Sequence, residues 1–354
     1  MPLKVCRTIL TSRTKYDTIK AKIVRMKKGE NINNMRMMKR ILAIGLSAMM
    51  ALSFVGCGNA DTSVAPEDSL SSSAVEKDGF NFADYLGDEI IEIAKVDNGE
   101  QLDSICETYR FIFLSDLEKK YKIKGFISIP LSCIETRTPC QCMIFCRGGN
   151  SNLGYLDKID TAVRCVVSNR IVIGCEHRGG NGTEGTDQYG GDDLNDVIRL
   201  IDFCDTMFEF ADISDLCVEG ESRGGLMTYM TARRDKRVKK IIVCSGISDL
   251  FAAFNEREDK MKEVLVRCIG GTPEEMPEEY EKRSAVCWAD EIKIPILIIH
   301  SKGDKQANFE TQAQAIYDKL KDSTDCTFIT YEDDMHGFHE DKDPAVIKEW
   351  LETH

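Results

Sequence analysis

The amino-acid sequence predicts an α/β fold, a mostly parallel sheet with helices packed on both of its faces. Three observations carry this expectation. The strand-like segments are short, continuously apolar runs, as strands buried on both sides require. Segments with a 3.6-residue apolar period separate the later ones. The most distinctive motif sits where a strand turns sharply into a helix. In chain order the strand-like runs are Tyr121 to Ile129, Cys142 to Cys146, Ile171 to Cys175, Leu216 to Glu219, Ile241 to Cys244, Ile294 to His300 and Cys326 to Tyr331. Helices are predicted at Asp193 to Phe210, where Leu194, Val197, Ile198, Ile201 and Phe208 share a face, and at Gly224 to Arg234, Gln306 to Leu320 and Pro344 to Thr353. Leu250 to Cys287 reads as a small helical cap. In such sheets, sites form beyond the carboxyl ends of the strands.

Composition narrows the function. The 354 residues carry a formal charge of −13, with 42% hydrophobic and 30% charged residues. A net acidic chain argues against a nucleic-acid partner, and the hydrophobic content is too high for disorder. No apolar run reaches the roughly 18–20 residues of a membrane span. The charge is uneven: residues 1–56 hold a net +10, which leaves −23 for residues 57–354. Met35 to Arg40 form a basic stretch, Ile41 to Val55 are a 15-residue apolar run, and Val55-Gly56-Cys57 follows. This is the pattern of a secretory signal spanning residues 35–56, and the cysteine after Gly56 makes it resemble a bacterial lipoprotein signal. The resemblance implies lipidation of Cys57 and an extracytoplasmic protein anchored to the bacterial cell membrane through that lipid. Residues 1–34 are expected to be an upstream extension, with translation starting at Met35 or Met37. Residues 57–79, turning to Ser, Asp, Glu and Ala, read as a flexible tether, and residues 80–354 as the folded unit.

Setting aside Cys6 and Cys57 leaves 13 of the 15 cysteines, an odd number. Most lie inside apolar runs such as Ile144-Phe145-Cys146, where a thiol behaves as a small buried hydrophobe. Cys140 and Cys142 alternate on a strand with no nearby histidine and no Cys-x-x-Cys, which argues against zinc.

After the strand Leu216 to Glu219 comes Gly220-Glu221-Ser222-Arg223-Gly224-Gly225, then a helical segment. G-x-S-x-G in that context is a nucleophile elbow: the turn is too tight for side chains at Gly220 and Gly224, and Ser222 is thrust into the open. A serine hydroxyl needs a base, and the base needs an acid to hold it. In this arrangement the chain order is serine, acid, histidine. Of five histidines, His177 precedes Ser222, His300 ends a core strand and His354 is the last residue. His336 and His339 remain, just past the last strand. His336, followed by glycine, is the preferred base, with His339 the rival. Asp304, after the strand Ile294 to His300, is the preferred acid, although it is equally placed to cap the helix expected near Gln306. Asp333 and Asp334 are the alternatives, so close to His336 that they would struggle to approach its Nδ1.

From about Tyr121 to Leu351 the chain resembles the catalytic domain of the prolyl oligopeptidase family of α/β-hydrolases. The resemblance rests on the Gly220 to Gly225 motif, on Ile269-Gly270-Gly271-Thr272-Pro273-Glu274-Glu275, on Arg283-Ser284-Ala285, on His300-Ser301-Lys302-Gly303-Asp304 and on His336-Gly337-Phe338. It implies an α/β-hydrolase fold with Ser222 as nucleophile, His336 as general base and Asp304 as its orienter. Departures bear on substrate. The classical peptidases carry a β-propeller ahead of this domain, and about 40 residues between Phe80 and Tyr121 are too few for one. Where the family places an oxyanion-stabilising Tyr or His beside Gly-Gly, this chain has Arg147-Gly148-Gly149-Asn150. The Arg147 guanidinium is either a charged oxyanion donor or a salt bridge shaping the loop. The other donor is expected to be the Arg223 backbone N–H. The family often has His-Gly where this chain has His300-Ser301. The glycine-rich stretch Glu176 to Gly185 lacks the Gly-Lys-Ser/Thr ending of a phosphate loop and reads as lining the site mouth, with Arg178 and Arg223 either attracting a substrate carboxylate or simply solvated.

The expected reaction is acyl transfer to water through an acyl-enzyme, with no metal or organic cofactor. Three readings stay open at this level: a serine peptidase for short or proline-containing peptides, a carboxylesterase acting on small or polysaccharide esters, and a non-catalytic binding lipoprotein.

Overall fold

The computed structural model describes residues 90–115, 121–150, 153–207 and 211–354. The expected signal peptide, Cys57 and the tether lie outside the described residues, as does Phe208. Among the described residues all strands join one nine-stranded sheet in the order β1-β2-β3-β5-β4-β6-β7-β8-β9. These are β1 Ile90–Val96, β2 Cys106–Leu114, β3 Lys122–Pro130, β4 Cys140–Cys146, β5 Ile171–Cys175, β6 Ala211–Glu221, β7 Lys240–Cys244, β8 Ile296–Ser301 and β9 Cys326–Tyr331. The strands from β5 to β9 along the sheet run parallel, whereas β1, β2 and β3 pair antiparallel and β3 joins β5 antiparallel.

The central strands β5, β7 and β8 are buried at every position, which is why they read as near-continuous apolar runs, with Lys240 opening β7 and His300 and Ser301 closing β8 as the polar exceptions. Helices cover both faces. On one side α1 (Glu100–Asp103), α3 (Lys158–Ser168) and α10 (Asp343–Thr353) close a core that includes Met143, Phe145, Leu297 and Trp350. On the other, α4 (Leu194–Met207), α5 (Arg223–Arg234) and α9 (Ala315–Leu320) pack with the short α2 (Leu131–Thr136) over Ile144, Ile173, Val218 and Ile241.

Between β7 and β8 the expected cap is present as α6 (Leu250–Glu256), α7 (Asp259–Ile269) and α8 (Pro277–Arg283). Its inner face is anchored by Tyr280, fully buried against the rings of Phe251 and Phe254.

Five elements escaped the sequence pattern, of which α1 and α2, with four and six residues, are too short to show a helical period. β1 and the first five residues of β2 mix polar and apolar residues with no clean period at the antiparallel end of the sheet, so neither reads as a strand buried on both faces. α3 is set by a capping box instead: the Ile159 N–H donates to Asp157 Oδ1 (3.0 Å) and the Asp157 N–H to Asp160 Oδ2 (2.9 Å). The helix predicted from Gln306 begins at Phe309, opening with a wide turn to Gln314, and Asn308 caps it through the N–H groups of Glu310 and Thr311. The cysteines are mostly buried and free as expected, but Cys133 and Cys140 form a disulfide between α2 and β4.

Register places the chemistry. Cys146 lies level with Cys175 and Gly220, Glu221 with Cys244, and Ser301 with Tyr331. The loops that follow β4, β5, β6, β8 and β9 therefore leave the same edge of the sheet.

Candidate active site

Ser222 joins β6 directly to α5 with φ +55° and ψ −122°, a conformation a residue with a side chain adopts only under strain. The strain is held by the frame. The Ser222 N–H donates to the Cys244 carbonyl (3.0 Å), and the Ser222 carbonyl accepts from Gly225 and Ile247 (3.0 and 3.1 Å). The motif's glycines are required by close approach. A methyl group at Gly220 would fall 2.2 Å from the Gly224 carbonyl oxygen, and one at Gly224 would fall 1.9 Å from that of Cys146.

His336 comes from the loop after β9 and Asp304 from the loop after β8. His336 Nε2 lies 2.8 Å from Ser222 Oγ, and its Nδ1 lies 2.7 Å from Asp304 Oδ2. The other Asp304 oxygen accepts the N–H groups of Gln306 and Ala307 (2.8 and 3.1 Å), so this aspartate both orients the histidine and caps the following turn. That capping occupies residues 306–307 and explains why the helix starts at Phe309. Burial pushes the Asp304 carboxyl upward, but the His336 hydrogen bond and the two N–H donors outweigh it and hold it below the usual carboxylate range. It is therefore ionised wherever His336 needs an anionic partner. His300 sits beneath, its Nε2 at 2.8 Å from the Ala307 carbonyl and 3.5 Å from Asp304 Oδ2, with burial lowering its basicity.

The rival residues go elsewhere. His339 is buried and contacts Asp333 Oδ1 (3.0 Å) and Ser301 Oγ (3.2 Å), and Asp333 binds Lys342 Nζ through its second oxygen (2.6 Å). His177 is buried and its Nε2 has no hydrogen-bond partner; burial, with Arg223 and Arg147 nearby, keeps the ring neutral.

The arginine expectations need correction. Arg223 and Arg178 are each 1% exposed, not surface groups awaiting a carboxylate. The Arg223 guanidinium is forked onto Asp187 (2.7 Å twice) and reaches Asp193 (3.1 Å), and Arg178 is forked onto Asp196 (2.8 Å twice). Fixed, dry bidentate pairs of this kind brace the glycine-rich loop against α4 and α5. Arg147 resolves toward the loop-shaping role. Its Nε is paired with Glu176 at 2.5 Å, and Nη1 donates to the carbonyls of Gly148 (2.7 Å) and Gly154 (2.8 Å). The acidic partners Glu176, Asp187, Asp193 and Asp196 were not singled out from sequence. The available signal was a run of carboxylates around one glycine-rich stretch that holds a single arginine, Arg178, while Arg147 and Arg223 lie far off in sequence.

What remains near Ser222 for an oxyanion is backbone. Arg223 is the first residue of α5, where an N–H has no partner inside the helix. Gly148 stands against the serine: a methyl group there would lie 3.2 Å from Ser222 Cβ. The loop it opens, packed on itself through Gly149 and Gly154, presents Leu153 and Tyr155 at 69% and 57% exposure, and Met335 beside the histidine is 40% exposed.

Residues 167–352 match the Prolyl oligopeptidase family. The chain belongs to that family. It is a serine hydrolase carried on an α/β-hydrolase fold. A Bacillus subtilis (strain 168) protein, the uncharacterized peptidase YtmA, is 27% identical over 211 residues, or 58% of this chain and 77% of that one. Among solved structures, the Pyrococcus horikoshii acylaminoacyl peptidase superposes with a TM-score of 0.60 at 22% identity, over 70% of this chain and 42% of its own. The acetyl xylan esterase from Paenibacillus sp. R4 superposes with a TM-score of 0.58 at 17% identity, over 74% of this chain and 88% of its own. This prolyl oligopeptidase family member thus spans less than half the length of the Pyrococcus peptidase.

Proposed function

We propose that Ser222, His336 and Asp304 are the catalytic triad of a serine peptidase for short peptides. The observation that carries this is the unbroken hydrogen-bond chain from Ser222 Oγ through His336 to Asp304, at 2.8 and 2.7 Å. Ser222 attacks the scissile carbonyl as His336 takes its proton. The oxyanion is held by the Arg223 N–H and by main-chain N–H of the Gly148–Gly149 turn. His336 protonates the leaving amine, and water, activated by the same imidazole, releases the acyl group. Leu153, Tyr155 and Met335 favour substrates with an apolar group beside the scissile bond.

The esterase reading is favoured by one observation. The acetyl xylan esterase is matched over nearly its whole length, whereas the Pyrococcus peptidase is matched over less than half. Turnover of leucyl- and phenylalanyl-anilides and of p-nitrophenyl acetate by the purified protein and its Ser222→Ala variant separates the two. Ser222-dependent anilide cleavage supports the peptidase; turnover of esters alone makes it an esterase. If neither is cleaved and no fluorophosphonate labels Ser222, the triad is abandoned.

The reading includes an anchor: residues 35–56 act as a lipoprotein signal, Cys57 takes the lipid, and residues 57–79 tether the enzyme outside the cell membrane. Metabolic labelling with palmitate tests it, and a wild-type protein that takes up no label at Cys57 sinks it.

A further inference from the structure

The loop that carries His336 is fastened by a second polar cluster that the reaction itself does not use. Ser301, the last residue of β8, is 0% exposed and donates its hydroxyl proton to Asp333 Oδ1 at 2.7 Å. His339 Nε2 lies 3.0 Å from that same oxygen and 3.2 Å from Ser301 Oγ. Because the serine proton already points at the carboxylate, Nε2 must be the protonated ring nitrogen, and Nδ1 is left without a hydrogen-bond partner. The Met335 N–H also leans on Asp333 Oδ1 (3.3 Å), and Lys342 takes Oδ2 (2.6 Å). On the main chain, the Gly303 N–H donates to the Asp333 carbonyl (2.9 Å). At the far end of the loop the His339 N–H donates to buried Asp343 (2.7 Å), which Tyr331 also holds (2.9 Å).

One residue therefore ties together both loops of the triad. Through Gly303, Asp333 fixes the turn that bears Asp304. Through Met335 and His339, it fixes the segment that bears His336. We propose that Asp333, with Ser301 and His339, is a positioning clamp that sets the approach of His336 to Asp304 and Ser222. The inference rests on the triad reading above. Ser301 is not a second nucleophile, since it is fully buried and its proton is committed to a carboxylate.

The test uses the full chain carrying Asp333→Ala, Asp333→Asn, Ser301→Ala or His339→Gln. For each, kcat and KM are measured, with the rate of fluorophosphonate labelling at Ser222 and the melting temperature, all normalised to active sites titrated. A misplacement of about 1 Å at a reacting group costs on the order of 100-fold. For Asp333→Ala, the expected result is a fall of about 10- to 100-fold in kcat and in labelling rate per titrated site, with KM unchanged. Asp333→Asn, whose amide oxygen still accepts from Ser301 and His339, should fall between this and wild type. A variant that loses folded protein but keeps the wild-type rate per titrated site, or one that raises KM alone, overturns the clamp. If Asp333→Ala does not fold, Ser301→Ala decides by the same criterion, with a smaller fall expected. A wild-type protein that is itself unlabelled overturns the hydrolase reading and the clamp with it; labelled wild type with equally reactive variants overturns the clamp alone.

Discussion

Two serine–histidine–aspartate groupings meet at the loop after β9, their histidines three residues apart. In the first, half-buried Ser222 is strained at φ +55°, its hydroxyl faces His336 Nε2, and the carboxylate of Asp304 lies on the far side of the ring. In the second, Ser301 ends a regular strand, is sealed from solvent, and gives its proton directly to Asp333 with His339 alongside. The first order lets a proton leave serine for a base when a carbonyl arrives. The second locks the hydroxyl onto an anion whose own basicity is held down by Lys342, Ser301 and His339. The same three residue types thus serve attack in one place and attachment in the other, and the order of the hydrogen bonds decides which.

The comparison breaks most easily at the nucleophile. Ser222→Ala and His336→Ala are each expected to lower kcat by about 10⁴- to 10⁶-fold with the melting temperature little changed. Ser301→Ala must stay far above that floor; if it is equally inactive while folded, the two groupings are not distinct. Next in size, Asp304→Asn is expected to cost about 10⁴-fold in kcat, because an amide in place of the carboxylate favours the wrong tautomer of His336.

Arg147 extends the contrast to charges that brace against charges that react. Removing one partner of a buried pair leaves the other unpaired, so Arg147→Met should lower the stability of the protein by about 3–5 kcal/mol in urea unfolding. The rate per titrated active site should change far less. A stable variant that instead loses about 3 kcal/mol of transition-state binding would return the guanidinium to the oxyanion.

The smallest effect is in pH. Asp304 is held below its ordinary range in the folded state, so its contribution to stability is present above the unfolded value of about 4 and is lost as pH falls through the folded value. Asp343 behaves oppositely: burial raises it, so the folded state prefers its proton and loses stability as pH rises through the raised value. Relative to wild type, the unfolding midpoint of Asp304→Asn should therefore fall and that of Asp343→Asn should rise as pH is raised from 3 to 8, because each amide lacks the charge that wild type acquires. Parallel profiles would show that the two carboxyls share one environment.

The fold was legible where burial is two-sided. β5, β7 and β8 write their environment as near-continuous apolar residues, and Gly220, Ser222 and Gly224 write the elbow, since both are consequences of local geometry. The antiparallel β1 and β2 were not legible, because each mixes polar and apolar residues with no clean period and only part of the pair is buried. At the site, Ser222, Asp304 and His336 could be ordered by chain position and strand ends. The contrast between His336 and His339 could not be read from residue type, as both sit in one loop within reach of aspartates. Arg223 beside the nucleophile reads from sequence as either a substrate-carboxylate group or a solvated one, whereas its guanidinium is committed to Asp187 and Asp193.

The parallel sheet, the strand–turn–helix at Ser222 and the acid–base order follow from the chain, because each depends on neighbours in sequence or on burial that composition records. The partners of the arginines, the choice of histidine and the clamp on its loop depend on which loops converge at one edge of the sheet. Buried charges reach their lowest energy only against specific opposite charges at hydrogen-bond distance, and here most of those partners come from separate loops and helices brought together by folding.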